Sequence, residues 1–178
     1  MRISAWAFVL AIVVLGFVAP RASVLVAQQT ERHPSTVTAK RRRVAQIMEE
    51  AIKQGQSAVQ GIHIFTRVPP SSEEIAELRE LGPDAISVLA EYLSSGSPQK
   101  QLLAVEFLGR IGGSAVIPPL DFVLRTSPSA PLREITLRWL PLEKNEAVRQ
   151  ILVRTVKTDK NSAVRDLAQQ RLADYAGK

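Results

Sequence analysis

Three stretches of the chain align without gaps at an interval of 32 residues: SPQKQLLAVEFL at 97–108, SAPLREITLRWL at 129–140 and NSAVRDLAQQRL at 161–172. Leucine stands at the last position of all three, and alanine or threonine stands at the eighth. Each stretch opens on polar or proline-containing residues, which is typical of a capped helix start. The repeat therefore predicts one helix per stretch.

A second helix precedes each of these stretches. Its signal is an apolar residue at every fourth position, in the triplets Ala85, Leu89 and Leu93; Val116, Leu120 and Leu124; and Val148, Leu152 and Val156. Residues four apart lie on one face of a helix. Two helices per repeat of about 32 residues predict stacked helix pairs, each of which buries its apolar face against its neighbours.

We therefore expect an all-α fold, in the form of a short right-handed α-solenoid of stacked helix pairs. The predicted helices span 38–54, 72–81, 84–95, 98–111, 115–125, 131–142, 145–158 and 162–175. The leucines expected to be buried between units are Leu89, Leu103, Leu108, Leu120, Leu140, Leu152 and Leu167.

A family resemblance is carried by three stretches of the chain. They are the turn and helix start LGRIGGSAVIPPL at 108–120, LGPDA at 81–85 and SAVR at 162–165. These residues resemble the HEAT repeat, in the short armadillo-like form also seen in bilin lyases, over 72–176. The chain departs from the HEAT pattern at two places. PLE stands at 141–143 where a turn glycine is expected, and Gln101 stands where the other two stretches have Arg133 and Arg165. The resemblance implies that these arginines form a structural ladder by reaching acids in the adjacent turn, with ligand contact as the alternative.

The N-terminus has a different character. Residues 3–19 are an uninterrupted apolar run after Arg2, and ASVLVA follows at 22–27. A basic start, an apolar middle and a small-residue exit predict a signal peptide over 1–27, cut after Ala27 or, as second choice, Ala22. The alternatives are a membrane anchor, since about 17–20 apolar residues can cross a bilayer, and a core helix. Export would place the protein in the periplasm or outside the cell.

Residues 28–71 are interpreted as a polar lead, an amphipathic helix and a connector. The helix carries the apolar stripe Val44, Ile47, Met48, Ala51 and Ile52 after the basic run KRRR at 40–43. That run is either the solvated first turn of the helix or a patch for anionic lipid or nucleic acid. Because no aromatic residues are interleaved for base stacking, we expect no nucleic-acid partner. The connector at 62–68 is β-branched and suits a short strand or an extended link.

Composition leaves little room for catalysis. The chain has no cysteine and two histidines, of which His63 sits in the apolar connector. Glu49–Glu50 and Glu73–Glu74 suit a solvated face and a helix start, respectively. The glycines at 109–113 lack a preceding strand and a following Lys-Ser/Thr, so they do not form a phosphate loop. We expect no enzyme activity, no catalytic residues, no metal and no cofactor.

The sequence thus predicts an exported scaffold that binds a protein partner through the concave face of its second helices. Two alternatives remain, a lyase- or chaperone-like protein acting on a cofactor-bearing protein, and an accessory subunit of an envelope complex tethered through residues 3–19. The residues expected to be exposed for the partner are Lys100, Glu106, Arg110, Arg133, Arg138, Arg165 and Gln169.

Overall fold

Helix follows helix along the whole part of the chain that the structure, a computed structural model, describes: residues 34–57, 69–141, 143 and 145–176. Eight α-helices and one 3-10 turn account for nearly all of these residues, and none of them lies in a β-strand. The predicted all-α class is confirmed. The connector at 62–68, expected as a short strand or an extended link, and the predicted signal peptide over 1–27 lie outside the described residues.

The helices, numbered here in chain order, are α1 Pro34–Ser57, α2 Ser72–Leu81, α3 Pro83–Ser95, α4 Pro98–Ile111, α5 Ile117–Thr126, α6 Ala130–Trp139, α7 Glu146–Thr158 and α8 Ser162–Ala176. The 3-10 turn Ser114–Val116 precedes α5. The predicted bounds of α2 and α4 match these, and α1 is longer than expected at both ends.

Side-chain caps set where several helices begin. Ser71 accepts a hydrogen bond from the Glu74 N–H while the Glu74 carboxylate accepts one from the Ser71 N–H, which forms a capping box. Ser97 and Ser129 cap α4 and α6 through the N–H three residues on. Each cap satisfies a backbone donor that the helix leaves free. The polar starts of the repeated stretches therefore act as helix caps.

Prolines account for two differences from the predicted bounds. The prolines of α5, Pro118 and Pro119, lie in its first turn, where a missing N–H costs nothing, and residues 114–116 form the 3-10 turn. The helix predicted to run to 142 ends at Trp139, because Leu140 is extended with ψ 125° before Pro141. A residue that precedes proline is disfavoured in the helical region.

The helices contact each other in two rows. The first row is α3, α5 and α7, and the second row is α2, α4, α6 and α8; neighbours within each row are in contact. Helices that follow each other as pairs, α3 with α4, α5 with α6 and α7 with α8, also contact across the rows. One apolar core runs between the rows and includes residues from all eight helices.

Six of the seven predicted core leucines are buried, with Leu89, Leu108 and Leu120 fully inaccessible. The expectation for Leu167 was wrong, because this side chain is only half-buried. Leu167 lies on α8, the last helix of the second row, and no described helix follows to cover that side.

The amphipathic helix predicted around 44–52 is confirmed as part of this core. Its five apolar stripe residues are all buried, and Val44, Ile47 and Met48 are fully inaccessible. By backbone contacts, Thr38–Lys178 form one compact unit, and a separate unit, Met1–Val37, is described only at 34–37. Within the described parts of the chain, no helix is both long and apolar enough to cross a membrane.

Candidate interaction surface

One position of the three repeated stretches is occupied by Gln101, Arg133 and Arg165. All three side chains donate hydrogen bonds to backbone carbonyls. Gln101 donates to the Leu93 carbonyl at 3.2 Å, and the Arg133 Nη1 donates to the Ser127 carbonyl at 2.9 Å. Arg165 Nη1 donates to the carbonyls of Asp159, at 2.9 Å, and Lys160. Each side chain thus satisfies carbonyls at the end of the preceding first-row helix. These three residues form a structural ladder, including the position where glutamine replaces arginine.

Arg133 also joins two repeats, and its predicted exposure was wrong. Its Nε and Nη2 donate to the two carboxylate oxygens of Asp159 at 2.7 and 2.8 Å. The two side chains are only 10% and 5% exposed, because they lie between the loops that follow α5 and α7. The hydrogen bond from Arg133 holds the pKa of Asp159 below its ordinary value and raises that of Arg133. Only part of the ladder reaches an acid, since Arg165 bonds to carbonyls.

Glu106 is buried as well, so the expectation of an exposed carboxylate there was wrong. It lies on α4, which contacts α2, α3 and α6 and is therefore covered on several sides. Its carboxylate accepts from Arg110 one turn later, and the Arg110 guanidinium lies 5.2 Å from the centre of the Trp139 ring. A Cβ on Gly109 would fall 2.4 Å from Trp139 Cβ, so glycine is what lets this ring pack on α4.

Lys100 is likewise engaged within the protein. Its ammonium group lies 2.6 Å from Glu49 on α1 and 5.6 Å from the centre of the Tyr92 ring on α3. The hydrogen bond to Glu49 raises the pKa of Lys100. Lys100 therefore joins α4 to α1 and α3.

Two of the seven predicted partner residues, Arg138 and Gln169, are exposed with side chains that no other described residue contacts by hydrogen bond or ion pair. They lie on α6 and α8, which are neighbours in the second row. Arg165, near Gln169 in sequence, is half-buried and used in the ladder. The candidate surface on the second row is therefore centred on Arg138 and Gln169.

The basic run at 40–43 is largely exposed to solvent as expected, but it lies beyond the first turn of α1, and three of its four side chains are paired rather than free. Its side chains cross to acids on α2 and α3, in the pairs Lys40 with Asp84 at 3.1 Å, Arg41 with Glu91 at 2.7 Å and Arg43 with Glu77 at 2.5 Å. The hydrogen bond from Arg43 lowers the pKa of Glu77. Arg42 is exposed and pairs with no other described residue. The run therefore attaches α1 to the two helices that follow it.

A basic surface on the first row was not predicted from the sequence. Arg125 on α5, Arg154 on α7 and Lys160 in the next loop line a groove of about 720 Å³. A second depression of about 300 Å³ continues from Arg154 along α7 to Lys157 and Arg149. We call the two depressions together the first-row basic groove. The available signal was the spacing of the α7 bases, which places Arg149, Arg154 and Lys157 on neighbouring turns.

The remaining acidic and histidine residues form no ligand set in the described ranges, where no three His, Asp or Glu side chains are grouped to hold a metal ion. Glu73 and Glu74 lie in the first turn of α2, and Glu74 serves its capping box. His33 and His63 lie outside the described residues. Comparison of the chain with protein-family models, with curated proteins and with solved structures returned no match.

Proposed function

We propose that this chain is an exported, non-enzymatic scaffold protein of the HEAT-like kind that binds a protein partner through its second row of helices. The two rows of contacting helices are the arrangement expected of a short α-solenoid. In the proposed right-handed form, the second row lies on the concave side. Solenoids bind partners along such extended surfaces. The 32-residue repeat and the ladder of Gln101, Arg133 and Arg165 support the same assignment.

The observation that carries the proposal is the contrast between used and unused polar side chains on the second row. Five of the seven predicted partner residues form hydrogen bonds within the protein: Lys100, Glu106, Arg110, Arg133 and Arg165. Arg138 and Gln169 are exposed on adjacent helices and bond to no other described residue. Neither stabilises the fold by a visible bond, so both are available to a partner.

The character of this surface suits a specific but moderate interaction. Arg138 supplies five hydrogen-bond donors in a fixed fork, which matches a carboxylate on a partner. Gln169 supplies both a donor and an acceptor. Charged contacts at a rim speed association and select partners more than they tighten binding. We therefore expect capture of the partner to weaken as salt is raised.

The test is affinity capture from the native envelope fraction with three purified proteins: wild type, Arg138→Glu and Arg42→Glu. Both variants reverse an exposed arginine that pairs with no other described residue, so they change net charge equally. We expect Arg138→Glu to recover less of the partner than wild type and Arg42→Glu to recover the same amount. Equal recovery by all three folded proteins would remove the second row as the binding surface.

Export is tested separately by the intact mass of the protein isolated from cells. A mass that lacks residues 1–27 is the expected result and supports an exported module cut after Ala27. A full-length mass together with recovery in the membrane fraction would favour the tethered accessory subunit instead.

A further inference from the structure

Charge is divided unevenly along the helices. Residues 69–116 contain seven acids and three bases, whereas residues 117–178 contain seven acids and eleven bases. Three acids of the first part are paired from outside it, because α1 brings Lys40, Arg41 and Arg43 to acids on α2 and α3. The basic part has no such covering helix among the described residues.

Several of the excess basic residues of 117–178 lie in the first-row basic groove. Asp121 is shared by Arg125, at 3.1 Å, and Arg154, so one carboxylate serves two guanidinium groups. The side chains of Lys157 and Lys160 are exposed and make no ion pair with any residue that the structure describes. Among the described residues, these two positive charges therefore face solvent without an ion-pair partner.

The shape and lining of the groove suit a polypeptide. A recess of about 720 Å³ lies between the loops after α5 and α7, and the buried Arg133–Asp159 pair forms part of its lining. The exposed Thr126 and Thr158 line it beside the bases; their hydroxyls donate to carbonyls of their own helices, which leaves them as acceptors for a ligand N–H. Val153 adds a half-buried apolar contact in the adjoining depression. Arginine forks bind carboxylates in a defined geometry, and threonine hydroxyls bond to a peptide backbone. A flat membrane surface would instead fit bases that protrude from a face.

The residues of this sequence that the structure does not describe offer the groove little counter-charge. Outside the described residues the sequence has one acidic residue, Glu31, against six basic ones. We propose that the first-row basic groove binds an acidic segment of a separate protein, whose carboxylates meet Lys157, Lys160 and Arg154. This site goes beyond the second-row surface proposed above and does not depend on it.

The test measures binding of a fluorescent Glu-Ala repeat peptide to the full chain by anisotropy, with a Gln-Ala peptide of equal length as control. The variant is Lys157→Gln/Lys160→Gln, and its matched control is Arg42→Glu, which produces the same change in net charge. We expect the double variant to raise the Kd for the acidic peptide about fivefold or more while the control stays within about twofold, because the attraction is local. Carbodiimide cross-linking should join peptide carboxylates to Lys157 or Lys160.

Four results would overturn the proposal. Equal weakening by Arg42→Glu would mean that only net charge matters, and unchanged binding by the double variant would place the peptide elsewhere. Binding of the chain to phosphatidylglycerol vesicles but not to the peptide would assign the groove to lipid. Concentration-dependent self-association that the double variant abolishes would assign it to a second copy of the chain. Because Arg138 is untouched in these proteins, failure here leaves the second-row surface unaffected.

Discussion

Two junctions in this protein each depend on an arginine that contacts both oxygens of a carboxylate, but their surroundings are opposite. At the junction of α1 with α3, the Nη2 of Arg41 lies 2.7 Å from each oxygen of Glu91. Where α6 meets the loop after α7, the Nε and Nη2 of Arg133 donate one to each oxygen of Asp159, at 2.7 and 2.8 Å. The first pair is 44% and 55% exposed, and the second is 10% and 5% exposed. Water screens the first pair and hardly reaches the second. Despite similar distances, we therefore expect very unequal consequences for stability, because the Arg133 pair is both buried and joined through two separate donor nitrogens.

The comparison also indicates different roles for the apolar contacts of α1 and for its ion pairs. Exposed ion pairs contribute little to stability, whereas buried aliphatic side chains contribute much more. The apolar stripe of α1 is buried throughout, and its charged pairs lie around that stripe. We infer that the stripe supplies the attachment energy of α1 and that its ion pairs select the position of the helix.

The largest expected effect is therefore at the stripe. Ile47→Ala should lower the free energy of unfolding by about 2–5 kcal/mol, because Ile47 is fully buried and the change leaves a cavity. Denaturant unfolding measures this directly. The control Gln46→Ala changes the neighbouring, exposed position of the same helix and should leave stability near that of wild type. A loss no greater than that of the control would show that α1 is held by its ion pairs.

The buried pair should give the next largest effect. Asp159→Asn removes the charge that faces Arg133 and should destabilise the protein by about 3 kcal/mol, because a guanidinium is left buried without its counter-charge. Guanidinium chloride would screen charges, so urea unfolding is the appropriate measurement. Asp166→Asn, at an exposed site on α8, is the matched control. A loss similar to that of Asp166→Asn would mean that burial does not distinguish the two junctions.

The difference between wild type and Asp159→Asn should depend on pH. Arg133 lowers the pKa of Asp159 in the folded protein below its ordinary value of 3.8. A group whose folded pKa is depressed stabilises the protein above its unfolded pKa, and this contribution is lost as pH falls through the folded pKa. Urea unfolding at neutral pH and at pH values below 3.8 should therefore show the gap narrowing with acid. A constant gap would contradict a pKa shift as its source.

Most of the fold could be predicted from the sequence, because the local helix signals and the 32-residue repeat indicated the same helices. Capping serines, prolines in first turns and the 32-residue interval each marked the same helices. The errors fell where a tertiary neighbour decides the outcome. Periodicity shows that Leu167 lies on an apolar face, but it does not show that no described helix packs over that side of α8 and that the side chain is therefore half-buried.

The candidate surface was harder to predict from the sequence, again because tertiary neighbours decide which side chains are exposed. The family resemblance implied a structural role for Arg133, but its partner Asp159 is 26 positions away and no local pattern links them. Glu106 was expected to be exposed because it is charged, and only the packing of three helices around α4 shows otherwise. Lys157 and Lys160 could have been found by comparing the charge of the two parts of the chain.

The exposed pair of the opening comparison should give the smallest effect. Glu91→Gln keeps the size of the side chain and removes the charge that faces Arg41, so we expect its melting temperature to fall by less than about 2 °C. The hydrogen bond from Arg41 can persist to the glutamine oxygen, and solvent compensates the rest. Raising the salt concentration should erase whatever difference remains, since salt screens exposed charges but not the buried Arg133–Asp159 pair. Ser87→Ala, exposed on the same helix, controls for helix propensity. If Glu91→Gln were as destabilising as Asp159→Asn at every salt concentration, exposure would not be what distinguishes the two junctions. The ion pairs of Lys40, Arg41 and Arg43 would then have to be treated as one cooperative network.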